Sequence, residues 1–142
     1  MTFRDQSGFT VVEVLAAVAI LGVGLVALVL AMGWGVTDVD AARRSTTALF
    51  LAEQRMEQIK AFALSTAGNK GFANVTVGNF PAEAYGSIAG YVDYRRSVAI
   101  TDTPGGAANT KQVEVFVFYR PATSSGLGAE TSAVVSTLLV LR

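Results

Sequence analysis

The sequence contains no cysteine and no histidine in its 142 residues. Disulfide bonds, thiolate nucleophiles, Cys/His zinc sites and Ser-His-Asp triads are therefore excluded. Charged residues are scarce, at 15% of the chain, and eleven basic residues balance eleven acidic ones. The largest basic clusters are the pairs Arg43–Arg44 and Arg95–Arg96, which we expect on solvated faces. Without a basic face or tail to attract phosphates, no nucleic-acid partner is predicted.

Long apolar sequence, in contrast, is abundant near the N-terminus. Val14–Thr37 carries no charge over 24 residues, which makes a helix of about 36 Å, enough to cross a hydrocarbon core of about 30 Å. The run is longer than the h-region of a secretory signal, and no Ala-x-Ala site follows it. Basic residues do not fix its orientation, because Asp5 offsets Arg4 and Arg43–Arg44 follow the run. We predict a helix that spans a membrane.

The residues around the start of this run form a recognisable motif. A short polar leader, Met1–Gly8, is followed by Phe9 and Thr10, and Glu13 stands five residues after the glycine. This arrangement resembles the class III signal of type IV pilins and pseudopilins. The resemblance implies that a prepilin peptidase cleaves between Gly8 and Phe9 on the cytoplasmic side and then N-methylates Phe9.

Glu13 is the one charged residue between Phe9 and Val36. A charge at the centre of a bilayer costs about 2.5–3.5 kcal/mol, and the helix N-terminus relieves part of this near its end. A simple anchor has no need of such a residue. The resemblance implies that Glu13 sets the register of assembly by pairing with the α-ammonium of Phe9, in its own chain or a neighbour's. A water-exposed Glu at the interface is the alternative.

Two glycines, Gly22 and Gly24, interrupt the apolar run. Each costs about 1 kcal/mol in a helix interior relative to alanine. They indicate either close helix packing in the membrane or local flexibility. Major pilins often have a proline eight residues after the first of these glycines, where this chain has Leu30, so no proline kink is predicted. Gly33 and Gly35 could loosen the helix beyond that point.

Residues 37–64 stay compatible with a helix and become amphipathic. Oppositely charged side chains pair at Asp40–Arg44 and Glu57–Lys60. The segment "LAEQRMEQIKAFA" resembles the second half of the helix in V-type minor pilins and I-type pseudopilins. The pattern predicts one apolar stripe that faces a core. Its members are Leu49, Ala52, Met56, Ile59 and Ala63.

Three strand-like segments follow a loop at residues 65–89: "GYVDYRRSVAIT", "KQVEVFVFYRP" and "SAVVSTLLVLR". Turn residues link them, which indicates an antiparallel meander. The second strand places Phe116 and Phe118 on the face opposite its core residues, as a subunit contact or beneath loops. The alternation assigns these residues to the core side: Val92, Tyr94, Val98, Ile100, Val113, Val115, Val117 and Tyr119.

The predicted fold class is α+β, with a long N-terminal helix packed on a small antiparallel sheet, as in the pilin fold. Residues 1–8 form the leader, 9–36 the transmembrane and assembly helix, and 37–64 its amphipathic half. Residues 65–142 supply the loop and three strands, and form one globular domain with 37–64.

Enzymatic chemistry is not predicted. Glu53 and Glu57 share a helix face, but Arg55 and Lys60 nearby indicate a solvated surface. Asp102, in "TDTPGGAANT", could contribute to a calcium loop, although one carboxylate is a poor ligand set. The segment "PGGA" lacks the Lys-Ser/Thr of a P-loop. We therefore predict no catalytic residue, no metal and no cofactor.

The resemblance implies a structural minor pilin of a type IV pilus, processed by prepilin peptidase and assembled into, or priming, the filament. The implied partners are the peptidase, other pilins through helix packing, and the inner-membrane assembly platform. The subunit would be a single-pass inner-membrane protein with a cytoplasmic leader and a periplasmic domain. After assembly it would lie in the pilus or in a periplasmic pseudopilus.

Two alternatives remain open. The first is a minor pseudopilin of a type II secretion system, which the segment "LAEQRMEQIK" fits equally well. The second belongs to another class, an uncleaved, membrane-anchored exported binding module in which Gly8-Phe9 is a coincidence. Loss or retention of the leader discriminates between this module and the pilin-like subunits.

Overall fold

The structure is a computed structural model that describes residues 9–123 and 125–141, without the side chains of residues 33–37. One long helix precedes a small antiparallel sheet, which confirms the predicted α+β architecture. The helix α1 is Val11–Leu64, and the strands are β1 Arg95–Asp102, β2 Thr110–Tyr119, β3 Ala122–Thr123, β4 Gly126–Leu127 and β5 Thr131–Val140. Three short 3₁₀ turns lie at Phe72–Asn74, Val77–Asn79 and Pro104–Gly106.

Helix α1 has 54 residues, which corresponds to a length of about 80 Å. Thr10 caps its first turn, and the chain leaves the helix at Ser65 with an extended backbone. The hydrogen-bonded helix continues without interruption through Leu30, Gly33 and Gly35. The predicted helix from Phe9 to about Leu64 is therefore confirmed to within two residues.

The main sheet has the strand order β1-β2-β5, and each pair is antiparallel. Arg95 lies opposite Phe118 in the first pair, and Thr110 lies opposite Val140 in the second. This is the predicted meander. The connection between β2 and β5 also contains the two-residue pair β3–β4, where the sequence indicated turn material alone.

The strands lie alongside the second half of α1. At one end of the sheet the Tyr94 hydroxyl donates to the Arg44 carbonyl oxygen at 3.3 Å, and the Tyr119 ring centroid lies 6.1 Å from that of Tyr94. At the other end Leu139 shares a surface groove with Leu64, the last helical residue. The sheet therefore extends along α1 from beside Arg44 to beside Leu64.

The predicted alternation in β2 is confirmed, since Val113, Val115, Val117 and Tyr119 are buried and Phe116 and Phe118 are half-buried on the other face. The start of β1 was predicted too early. Val92 lies before the strand and is 64% exposed, because the chain turns at Gly90, which has φ +80°. Tyr94 also precedes β1 but is buried as predicted.

Helix and sheet share one apolar core. The helix contributes Ala48, Leu51, Ala52, Met56 and Ile59, so the predicted stripe is right at its centre. It is wrong at Leu49, which is 43% exposed. The loop before β1 covers the Leu51 side of α1, where Phe80 packs on Phe62 with ring centroids 5.1 Å apart.

This asymmetry predicts unequal effects of truncating two helix residues. Ile59→Ala should lower the free energy of unfolding by about 2–5 kcal/mol, because Ile59 is fully buried and its removal leaves a cavity. Leu49→Ala should lower it by about 1 kcal/mol or less. Urea unfolding of the full chain in detergent micelles measures both. Equal losses would show that the sheet covers both sides of the helix.

Polar contacts tie the layers together. Arg96, expected on a solvated face, is 5% exposed, because alternation along β1 points it inward while Arg95 points outward. Its Nε donates to Glu83 at 2.6 Å, and its Nη1 donates to the Leu51 carbonyl oxygen at 2.9 Å. The helix pairs Asp40–Arg44 and Glu57–Lys60 form as predicted, at 2.9 and 2.8 Å. Arg96 thus joins the sheet, the loop and the helix.

Candidate functional site

The helix begins with a capping box that the sequence reading missed. Thr10 is the N-cap residue, and its Oγ1 accepts a hydrogen bond from the Glu13 backbone N–H at 3.3 Å. The Glu13 Oε2 accepts from the Thr10 backbone N–H and from its hydroxyl, each at 3.2 Å. Thr-x-x-Glu before an apolar run is the sequence signature of this arrangement. The signal was present, but Glu13 was interpreted as a charge and not as a cap.

The capping box fixes where the helix starts. Thr10 has an extended backbone with φ −75° and ψ 150°, so Phe9 lies outside the helix, and its side chain is 87% exposed. Gly8 lies outside the described residues, so the predicted cleavage and methylation site is described on its Phe9 side alone. On that side, the Phe9 backbone next to the predicted scissile bond makes no helical hydrogen bonds, because the helix begins only at Val11.

Phe9 and Glu13 lie on the same side of the chain. Both line one shallow surface groove, which continues along the helix through Ala17 to Leu21. Among the ion pairs of the described residues, none includes Glu13. Its carboxylate therefore has local hydrogen bonds from Thr10 and remains accessible to a cation from outside.

Gly22 and Gly24 lie on an uncovered part of the helix. A Cβ atom built at either position meets nothing within 4 Å, so this chain by itself does not require glycine there. Gly22 lines a second shallow groove with Val18 and Val26, whereas Gly24 lies about 200° further around the helix. The structure thus places the two glycines on different faces. Close packing at Gly22 or Gly24 would need a helix from another molecule.

One segment of the described chain is long and apolar enough to cross a membrane. It is Val11–Met32, with 22 residues, a mean hydropathy of 2.9 and no part buried against the rest of the chain. The segment holds Glu13, Gly22 and Gly24, and it begins two residues after Phe9. Glu13, Gly22 and Gly24 therefore lie within this uncovered segment, and Phe9 lies just before it.

The calcium candidate of the sequence, Asp102, has a basic partner in the structure. In the part of the chain that the structure describes, no three acidic side chains lie together as a metal site requires. Asp102, the calcium candidate, accepts a hydrogen bond from the Lys111 ammonium, which also donates to the Val75 carbonyl oxygen at 3.1 Å. The lysine thus already supplies a positive charge to the Asp102 carboxylate.

Comparison with known proteins identifies the N-terminal end. The search of curated proteins and the search of solved structures each gave no match. Residues 3–29 match the family model described as the prokaryotic N-terminal methylation motif. The matched range contains Gly8, Phe9, Glu13 and both helix glycines. This chain therefore carries the class III signal and N-methylation motif of type IV pilin-like proteins.

Proposed function

We propose that the chain is a structural, non-enzymatic minor pilin of a type IV pilus. The observation that carries this proposal is the methylation motif at residues 3–29, which runs directly into an uncovered apolar helix. The second half of the same helix, up to Leu64, forms the core of a folded α+β domain. A rod that is apolar at one end and carries a domain at the other suits a subunit that leaves a membrane for a helical bundle.

The proposed sequence of events starts in the inner membrane. The leader, residues 1–8, lies in the cytoplasm and the domain lies in the periplasm. Prepilin peptidase cleaves between Gly8 and Phe9 and methylates the new amine of Phe9. The extended backbone at Thr10 supports this step, because it keeps Phe9 outside the helix and exposed. The inner-membrane assembly platform then transfers the subunit into the filament.

Glu13 is the proposed register residue. Cleavage creates a cationic α-amine at Phe9, directly before the capping residue Thr10. Opposite charges attract strongly where water is excluded, and an unpaired charge is costly there. The Glu13 carboxylate is exposed in the single chain, so an amine from a neighbouring subunit can reach it. A new subunit would fit best where this pair forms. Gly22 and Gly24 would let neighbouring helices approach closely on two faces.

Intact-mass measurement of the protein from its native membranes tests the proposal. The expected mass is that of the chain without Met1–Gly8 and with one added methyl group. Substituting Gly8→Val should leave the leader attached, while Gly22→Ala should not affect processing. A full-length, unmethylated chain in a membrane with active peptidase would reject the pilin-like proposal. It would favour the uncleaved anchored binding module.

A minor pseudopilin of a type II secretion system is the second candidate. The segment "LAEQRMEQIK", in the amphipathic half of α1, favours it as much as it favours a minor pilin. Both candidates predict the same processed mass. Affinity purification of the processed full chain separates them, because the partners are pilus subunits in one case and secretion-system pseudopilins in the other.

A further inference from the structure

The two edges of the sheet differ in their cover. At the β1 edge, Glu83 and Arg96 exchange backbone hydrogen bonds, both at 2.8 Å, so the loop before β1 pairs with the first part of this edge. At the β5 edge, no strand within residues 9–123 and 125–141 pairs with the outer side. The ten-residue strand β5 is thus an edge strand, and the backbone groups on its outer side are unpaired by any strand of the described residues.

The register shows which backbone groups face this open edge. The Leu141 N–H donates to the Asn109 carbonyl oxygen at 2.9 Å, directly beyond the pair Thr110–Val140. In an antiparallel ladder, hydrogen-bonded residues alternate, so the odd-numbered residues of β5 bond to β2. The even-numbered residues therefore direct five N–H and five C=O groups outward. They are Ser132, Val134, Ser136, Leu138 and Val140.

The open edge lacks the devices that normally protect such strands. Thr131–Val140 contains no charge, no proline and no glycine, and it pairs with β2 without a bulge. Three of its outward residues are apolar and exposed: Val134 at 44%, Leu138 at 60% and Val140 at 63%. Such an edge is a template for one more strand.

The direction of β5 restricts what can pair with it. Strand β5 runs along α1 in the same direction, from beside Arg44 towards Leu64. This step rests on the proposed membrane anchoring, which makes every copy point away from the same membrane. Two copies that paired β5 with β5 around a two-fold axis would need opposite directions. The β1 edge of a second copy is parallel to β5, but there the Glu83–Arg96 bridge already uses the outward backbone groups of Arg96.

We infer that the open edge of β5 binds an extended, uncharged strand of a different protein in the assembly. The strand would bond to the outward N–H and C=O groups of the even-numbered residues. Its helix-side residues would be apolar, because they would lie beside the half-buried Val135 and Leu139 of β5. The outward N–H and C=O groups of β5 require a partner with an extended backbone, and the uncharged side chains of β5 favour a partner strand without charges.

Photo-crosslinking in native membranes locates the partner, with the full chain carrying a photo-reactive phenylalanine analogue in place of Leu138. The matched control has the analogue in place of Thr101. Gln112 of β2 lies between the two positions, opposite Thr101 of β1 and opposite Leu138 of β5, so both side chains are on the sheet face that points away from the helix. We expect a crosslink to one other protein from position 138 and a yield roughly tenfold lower from position 101. Equal yields, or a product of two copies of this chain, would overturn the inference.

Proline substitutions test whether the contact is strand addition. Ser136→Pro removes an outward N–H that the chain does not use, and proline is tolerated at such edge positions. It should leave thermal unfolding close to that of the native chain and lower the crosslink from position 138 roughly tenfold. Thr137→Pro removes an N–H bonded to β2 and should destabilise the fold itself. Ser136→Ala, the side-chain control, should leave the crosslink unchanged.

An edge charge provides a test that does not depend on proline. Val134→Lys places an ammonium on the open edge and should lower the crosslink by a similar factor, since charges block edge pairing. An undiminished crosslink in Val134→Lys and in folded Ser136→Pro would overturn strand addition. Intact mass of the same samples keeps this separate from the proposed function. If the leader is removed normally and the crosslink is undiminished in these variants, the strand inference alone is refuted. If the leader is retained, the pilin-like proposal is refuted.

Discussion

Replacing Glu13 by glutamine should lower incorporation of the processed subunit into filaments by about 10²–10³-fold. On the proposed pairing, the substitution removes the charge of Glu13 and leaves the α-amine of Phe9 without its partner. Loss of one member of a buried ion pair costs about 3–5 kcal/mol, and each 1.4 kcal/mol is a factor of about ten. The measurement is the ratio of variant to native subunit in sheared filaments, normalised to the amount in the membrane.

The capping box makes glutamine an informative substitution. A glutamine at this position can still accept the Thr10 N–H, so Glu13→Gln keeps the cap and removes the charge. Thr10→Ala does the opposite, because it keeps the charge and costs about 1 kcal/mol of capping. We expect Thr10→Ala to be incorporated far better than Glu13→Gln. If Thr10→Ala fails and Glu13→Gln succeeds, Glu13 acts in assembly as a helix cap.

The N-terminal half of the molecule could be predicted from its sequence because its signals are local. A run of 24 uncharged residues predicts a helix whatever lies beside it, and the methylation motif is contiguous. The capping box was equally local, as Thr-x-x-Glu is four residues long. The sequence analysis did not predict it, because a carboxylate in an apolar run can act either as a charge that needs a partner or as a hydrogen-bond acceptor that caps the helix. The prediction used only the first role.

The domain was predicted less completely because its details depend on contacts distant in sequence. The alternation in β2 was enough to place Val113 to Tyr119, since both of its neighbours are strands. The helical period could not show that the loop before β1 covers the Leu51 side of α1 and leaves Leu49 exposed. The inward position of Arg96 likewise follows from where β1 begins, and from a partner 13 residues away in the loop.

Arg96→Ala should lower the free energy of unfolding by about 3–5 kcal/mol. The guanidinium is nearly fully buried and bonds both to Glu83 and to the Leu51 carbonyl oxygen. Its removal leaves a charged and a neutral acceptor without their partner. Lys60→Ala is the matched control, because Lys60 also pairs with a glutamate, at 2.8 Å, but on an exposed helix face. There the loss should be about 0.5 kcal/mol.

The same pair predicts how the difference depends on pH. Arg96 lowers the pKa of the Glu83 carboxyl below its usual value of 4.5, chiefly through the hydrogen bond to its Nε. A carboxyl with a lowered pKa in the folded state stabilises the fold above its ordinary pKa and loses this contribution as pH falls through the folded value. The stability gap between native chain and Arg96→Ala should therefore be largest near neutral pH and narrow below about pH 4.5. Urea unfolding of both proteins between pH 7 and pH 3 measures the gap. A gap that stays constant over this range would show that the Leu51 hydrogen bond, and not the ion pair with Glu83, accounts for the loss.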